Sequence, residues 1–467
     1  MKSQVLSKMG QRTTEPPISW LMHAALSRPK LISLAAGFTD NASLPVAEAR
    51  TALNQVLRSP KTGQPALQYG ITAGDTTLRQ LTARHLQKLD GVTAHDKNHS
   101  FERLLITGGS QQLLYMTTEA LCDEGDIVLV EDPTYFVYLS ILQSRGLRAR
   151  AVRLERDGLH LVHLESVLQS LKRSGELRRV KMIYLVSYFQ NPTGVTTSFG
   201  KKRGILRLLK KIERPAGHPI YLLEDAAYRE LRFQKDNKAQ SSVSTPSPRP
   251  SGERVGARGF EFETPGLLSP PLSSFSGGEG EVKSALAVPG AADRVIYAGT
   301  FTKPFATGAR VGYGVLPEPV FTAVKHIKGN HDFGTANLLQ QLFVRALASG
   351  IYGRHVARLQ KRYAYKARLM KLAIEKHFPP AVEWWEPEGG LYFWARLPRN
   401  IPTGLKSKVF STALKNDVLY VPGEICYADD AARRKPNHEM RISFGNASEK
   451  DIQEGIARLG KVLRKFL

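Results

Sequence analysis

A chain of 467 residues, 42% of them hydrophobic, can build one large or two medium domains around a core that needs no disulfide or metal support. Its two cysteines, Cys122 and Cys426, lie far apart outside any Cys/His cluster, and neither a signal-peptide stretch nor an apolar run of about 18 residues occurs, so a cytoplasmic protein without membrane or structural zinc is expected. The net charge of +24 is spread over short clusters such as Lys201-Lys202-Arg203, Lys210-Lys211 and Arg433-Arg434-Lys435, which lack the interleaved aromatics or helix-turn-helix pattern of a nucleic-acid reader and read as solvated faces.

Five short apolar runs between residues 104 and 300, separated by helical-looking sequence, predict parallel strands buried on both faces and hence an α/β fold. Ligands of such sheets bind beyond the carboxyl ends of the strands, so the residues after each run define a candidate site. Leu104–Ile106 is followed by Thr107-Gly108-Gly109-Ser110-Gln111, a glycine turn opening a helix. Its free N–H groups and the Ser110 hydroxyl suit an anion, although a plain tight turn would look the same. Ile127–Val130 leads to Glu131-Asp132-Pro133-Thr134-Tyr135, where Tyr135 is either a core tyrosine or a platform for a planar ring. After Ile183–Val186 comes Gln190-Asn191-Pro192-Thr193-Gly194, a turn presenting an amide, and after Ile220–Leu223 comes Glu224-Asp225-Ala226-Ala227-Tyr228. A carboxylate at the end of a buried strand is costly without a cationic partner.

From Asp236 to Lys283 the composition turns to Ser, Pro, Gly and charge, which predicts a disordered insertion. The fifth run, Val295–Ala298, delivers Thr300-Phe301-Thr302-Lys303, with Arg310 seven residues on. Burial lowers a lysine's pKa and exposes the neutral amine that Schiff-base chemistry requires. Beyond it, a basic helix over 355–377, strands at Leu391–Ala395 and Met440–Phe444, and a helix opened by Ser448-Glu449-Lys450-Asp451 predict a smaller α+β domain. Arg441 falls in the second of these strands, where a pair with Glu439 is the plain structural reading.

An anion cradle, a stacking ring, an amide donor, a buried carboxylate, an amine and a guanidinium at one sheet edge are the set that pyridoxal phosphate needs. The motifs Tyr69-Gly70-x-Thr72-x-Gly74, Glu131-x-Pro133-x-Tyr135, Asn191-Pro192-Thr193-Gly194, Asp225-x-x-Tyr228, Thr300-x-Thr302-Lys303 with Arg310, and Arg441-Ile442-Ser443-Phe444 resemble those of the class I/II aminotransferases of fold type I. Within that family the resemblance is to the branch with the 2-aminoadipate and kynurenine aminotransferases. It implies a large domain over 51–325, interrupted by the 236–283 insertion, with a mostly parallel seven-stranded sheet. Residues 1–50 would form an N-terminal arm and part of the small domain, and 326–467 the rest of the small domain.

The resemblance further implies that Lys303 holds the cofactor as a Schiff base and moves the substrate Cα proton. Asp225 would meet the ring nitrogen, Asn191 and Tyr228 the phenolic oxygen, and Tyr135 the ring face. Ser110, Gln111, Thr300, Thr302 and Arg310 would surround the phosphate, joined by Tyr69 from the second subunit of a homodimer. Arg441 would grip the substrate α-carboxylate, and Gly37 would close over it. The amino group would pass from an apolar, aromatic or 2-aminoadipate-like L-amino acid to a 2-oxo acid. The arm Pro17–Met22 lacks the arginine that aminoadipate-specific relatives carry, and Trp20, Leu21 and Phe38 point to an apolar or aromatic donor. Two rivals remain: a β-lyase or decarboxylase on the same fold, and an effector domain of a transcription regulator. Only about forty residues precede the Gly37 segment, too few for a winged helix with its linker.

Overall fold

Each of the five apolar runs supplies a strand of one large sheet, in the computed structural model, which describes residues 5–94, 96–233 and 282–467. The expected insertion lies outside the described residues apart from Val282 and Lys283. In chain order the strands are β1 (Ile32–Ser33), β2 (Leu104–Thr107), β3 (Ile127–Asp132), β4 (Arg148–Glu155), β5 (Gly158–Leu159), β6 (Val180–Val186) and β7 (Tyr221–Asp225). They continue with β8 (Val295–Thr300), β9 (Gly312–Val315), β10 (Glu383–Trp385), β11 (Tyr392–Arg396), β12 (Val418–Leu419), β13 (Val421–Pro422) and β14 (Glu439–Ser443).

The large sheet runs β2-β9-β8-β7-β6-β3-β4-β5. Neighbours from β8 to β4 pair in parallel, as the near-continuous apolar strands foretold, while β9 runs antiparallel between β2 and β8. The expected count of seven strands is corrected to eight: the two-residue β5 turns back to pair antiparallel with β4 at the sheet edge. Helices Ser110–Leu121, Phe136–Arg145 and Phe199–Ala216 follow β2, β3 and β6, so the loops that carry the motifs all open at the carboxyl ends of the strands.

A second sheet, β10-β11-β14-β13, is antiparallel throughout. It is accompanied by the long helix Ile351–His377 and by the C-terminal helix Glu449–Leu463, which pack on each other. The terminal helix starts with the predicted capping box, Ser448 and Asp451 each bonding the other's backbone, and buries Ile452, Ile456, Leu459 and Leu463.

The segment 32–40 joins the two sheets. Leu34 N donates to Leu419 O at 2.8 Å and Ser443 N donates to Leu34 O at 2.7 Å, so this segment rides on the second sheet. At its far end Asp40 accepts from buried Lys366 Nζ at 3.2 Å and from Arg362 Nε at 3.0 Å, on the long helix. Between these anchors Ala35 and Gly37 face the ends of the large-sheet strands, which is where the candidate site lies.

The chain on either side of the 234–281 stretch is pinned from both directions. Phe233 N donates to Glu388 O at 2.9 Å and Gly390 N donates to Leu231 O at 3.0 Å. On the returning side, Arg229 Nε donates to Val282 O at 3.1 Å, Lys202 Nζ to Lys283 O at 2.8 Å, and Ser284 N to Asp90 Oδ1 at 2.6 Å. Those cations are themselves buried and paired, Lys202 with Glu224 at 2.9 Å and Arg229 with Asp90. No helix among the described residues is long and apolar enough to cross a membrane, and none of their His, Cys, Asp and Glu side chains form a metal-binding group of three.

Candidate active site

A cavity of about 190 Å³ opens beyond the carboxyl ends of β2, β3, β6, β7 and β8. Gly37, Ser110, Gln111, Tyr135, Asn191, Asp225, Tyr228, Thr300, Thr302, Lys303, Arg310 and Arg441 all line it. Tyr69 does not: it is 83% exposed and sits edge-on to Phe333, at 5.5 Å between ring centroids.

At one end of the cavity the helix Ser110–Leu121 begins. Gly109 adopts φ +90°, a conformation that favours glycine, and a Cβ there would lie 2.7 Å from Arg310 Nη2. The Arg310 guanidinium therefore rests against the helix start, where free N–H groups and a cation combine to attract an anion. Arg310 itself has φ +50°, strain that this close approach holds in place. Nearby Thr302 Oγ1 is buried without a partner.

In the middle, Asp225 ends β7 and is only 3% exposed. Its Oδ2 accepts from Tyr184 Oη at 2.9 Å and its Oδ1 from Ala227 N at 3.1 Å. Burial pushes this carboxyl up to about 6, and the two hydrogen bonds oppose the rise. Lys303, half-buried, donates from Nζ to Gly37 O at 2.6 Å. Burial first, then the Arg310 and Arg441 guanidinium groups, push its amine down to about 8, so a neutral fraction exists near physiological pH. Tyr228 shares a hydrogen bond with Tyr392 Oη at 2.9 Å.

At the other end is Arg441, 1% exposed. Nη1 donates to Asn191 Oδ1 at 2.6 Å and Nη2 to Ala35 O at 2.5 Å, while Nε has no partner. The alternative pairing with Glu439 is not formed: that carboxylate accepts from Arg396 Nε at 2.7 Å and from Tyr427. The guanidinium lies 4.3 Å from the centroid of the Tyr392 ring and 5.7 Å from that of Phe136. A buried cation held only by neutral acceptors and ring faces is incompletely compensated, and a carboxylate is the ligand that would complete it. The bond from Arg441 also settles the Asn191 amide, leaving Nδ2 as its free donor.

Sequence reasoning missed Tyr392, which touches both Tyr228 and Arg441 and stands so close to Gly37 that a Cβ there would be 2.7 Å from its hydroxyl. It also misplaced two residues of the N-terminal arm. Trp20 packs on Phe410 at 5.9 Å in a separate apolar hollow, and Leu21 is buried, so of the three apolar residues only Phe38 lines the cavity.

Behind the site, buried Glu131 accepts from Val186 N at 2.9 Å and from Gln190 Nε2 at 2.6 Å, tying the Tyr135 loop to the Asn191 loop. Its other oxygen has no partner, and burial pushes the carboxyl from the ordinary 4.5 up to about 8. The folded state thus binds a proton that the unfolded chain releases near 4.5, so this residue's stability contribution is lost as pH rises from about 4.5 to 8. Glu131→Gln, which cannot ionise, should therefore gain in Tm relative to the parent from pH 5 to pH 8 and then level off. A Tm difference that does not change with pH in cofactor-saturated melts would contradict this.

The mostly parallel sheet, the cavity at its strand ends and the lysine, carboxylate and anion cradle within it define a pyridoxal-phosphate transferase of fold type I. The chain belongs to the aminotransferase class I and II family, which it matches over residues 29–459. It is 30% identical to the aromatic-amino-acid aminotransferase 1 of Thermococcus litoralis, covering 93% of this chain and 88% of that protein. It is 29% identical to the 2-aminoadipate transaminase of Thermus thermophilus, covering 94% and 92%. The crystal structure of kynurenine aminotransferase from Pyrococcus horikoshii, in complex with PMP, superposes with a TM-score of 0.81 at 28% identity, covering 100% of this chain and 98% of that one. The protein is an aminotransferase that uses pyridoxal phosphate.

Proposed function

We propose that this aminotransferase takes an apolar or aromatic L-amino acid as amino donor, at a site completed by a second copy of the chain. The observation that carries the reading is the charge inventory of the cavity: among the described residues, Asp225, Lys303, Arg310 and Arg441 are the only acidic or basic side chains that line it. Arg310 belongs to the anion cradle, and Arg441 waits for an α-carboxylate. With Lys303 taken by the cofactor's aldehyde, no further basic side chain among the described lining residues is left for a distal carboxylate, and the remaining wall carries Phe38, Leu114, Phe136, Val137 and Tyr392.

The residues present fit pyridoxal phosphate. The helix start with Ser110, Gln111 and Arg310, and the unpartnered Thr302 hydroxyl, would hold its phosphate. Asp225 would pair with the ring nitrogen, Tyr135 would cover a ring face, and Asn191 Nδ2 and Tyr228 would meet the phenolic oxygen. When bound, the cofactor supplies the electron sink for cleavage of the substrate Cα–H bond. Lys303 Nζ would supply the amine that anchors the cofactor's aldehyde, and as a neutral base it would take up the substrate Cα proton. Arg441 would orient the substrate through its carboxylate, and Gly37 and Phe38 line the cavity beside Lys303.

Tyr69 is fully placed on the surface beside the exposed Phe333, which supports its serving the phosphate site of the other copy in a homodimer.

A panel of donors against one 2-oxo acid tests the substrate reading. L-Phenylalanine, L-tyrosine and L-leucine should each exceed L-2-aminoadipate and L-glutamate in kcat/KM by at least about tenfold, because a distal carboxylate buried without a partner costs several kcal/mol. Equal or better use of the dicarboxylic donors would overturn it.

A further inference from the structure

Asp225 reaches its place with little help from charge. No ammonium or guanidinium pairs with it among the described residues, and its two oxygens are taken by one backbone amide, Ala227 N, and one side-chain donor, Tyr184 Oη. The ionisable groups that bear on it from the packed elements are Glu131 at the end of β3, the phenols of Tyr135 and Tyr138, and Tyr184 itself on β6. None of them is a cation, and Glu131 would repel it if ionised. Lys303 shares its cavity from the end of β8.

Tyr184 is unusually well fixed for its task. It is fully buried and sits on the strand beside β7, with Val186 of the same strand in register with Asp225. Its ring stacks on Tyr138 at 3.9 Å between centroids and 28° between planes, and Tyr138 is held in turn by a hydrogen bond with Thr118 Oγ1 at 3.0 Å. Burial and the neighbouring Asp225 carboxylate raise the Tyr184 phenol well above its ordinary range, so it remains a donor at any working pH. A hydroxyl that is always protonated, cannot rotate away and has an aspartate as its acceptor stabilises the charged form of that aspartate over the neutral one.

We propose that Tyr184 is the positioning residue that keeps Asp225 a carboxylate and fixes the orientation in which it lines the cofactor cavity. This rests on the reading of Asp225 as the partner of the cofactor's ring nitrogen. Without the Tyr184 hydroxyl, Asp225 retains only the Ala227 amide against the full effect of burial, and it holds its own proton over more of the neutral range.

The test is Tyr184→Phe, which keeps the ring and its stack and removes only the donor. Two quantities are followed against pH: the affinity for pyridoxal phosphate, by titrating the cofactor-free protein, and kcat/KM with an amino donor. Both acid limbs should move up by roughly one pH unit, the tenfold effect of one charge-assisted hydrogen bond, and the variant should approach the parent at high pH. Tyr138→Phe, which loses a hydroxyl that does not touch Asp225, should leave both limbs in place. Incorporating 3-fluorotyrosine at position 184, a stronger donor, should move them the other way and serves if the phenylalanine variant folds poorly. A loss that is equal at every pH, or unshifted limbs in Tyr184→Phe and the fluorinated protein, would overturn the proposal. Asp225→Asn separates the two layers. If it is inactive while Tyr184→Phe keeps the parent profile, the Tyr184 role alone falls. If Asp225→Asn turns over normally, the reading of Asp225 falls and this proposal with it.

Discussion

Replacing Lys303 with alanine should lower kcat by about 10³-fold or more, since loss of one positioned general base alone costs 10²–10⁴-fold and the covalent anchor goes with it. The reason lies in the surroundings. Nζ is directed by its contact with Gly37 O, its proton is weakened by burial and by two guanidinium groups, and no other lysine among the described residues lines the cavity. The measurement is conversion of an amino donor by cofactor-saturated protein, and turnover within tenfold of the parent would remove Lys303 from the mechanism. The same variant probes the shared site. Mixed with a Tyr69→Phe chain, it should form hybrids with one site carrying both defects and one carrying neither, and activity should rise above that of either variant alone. A monomer by light scattering would end that part of the reading.

Arg441→Ala should weaken substrate capture by about 2–5 kcal/mol, the cost of removing one partner of a desolvated charge pair. In kcat/KM this is a fall of roughly 30-fold to several thousandfold. The cofactor's absorbance should be unaffected, because Arg441 stands at the opposite end of the cavity from Arg310 and the helix start. Arg441→Lys should recover little, since an ammonium cannot reproduce the planar fork that now reaches both Asn191 and Ala35. Glu439 keeps Arg396 and Tyr427 as partners, so the substitution leaves no carboxylate stranded. Normal KM for amino donors, or loss of cofactor in place of loss of substrate affinity, would show that Arg441 has another task.

Most of the cavity was legible because its residues follow strands that announce themselves. β3, β6, β7 and β8 are buried on both faces, so each falls on an apolar run of four residues or more and the turn that follows it opens on the ligand edge. The strands that escaped notice lack this signature. β4 alternates arginine with alanine over Arg148–Ala151 because it lies near the sheet edge, and two of the four residues of β9 are glycines. Tyr392 and Tyr184 were visible only as apolar members of their strands. A strand pattern tells which face a tyrosine takes, not where its hydroxyl ends, and in both cases the hydroxyl is what matters. Trp20 and Leu21 lie in the arm in which aminoadipate-specific relatives carry an arginine, but here the turn through Arg28–Leu31 separates that arm from the segment that crosses the site.

The pinned ends around the 234–281 stretch carry a consequence for how such a protein can change. Phe233 and Val282 are each secured by hydrogen bonds to neighbours within the described fold, which fixes the two points that any connecting chain must bridge. For a flexible loop in general, each doubling of length adds only about 0.6 kcal/mol of closure entropy. With both ends held in this way, the pair Phe233 and Val282 is the expected port for splicing in a chain of different length, a tag or a module, checked by whether activity survives the exchange.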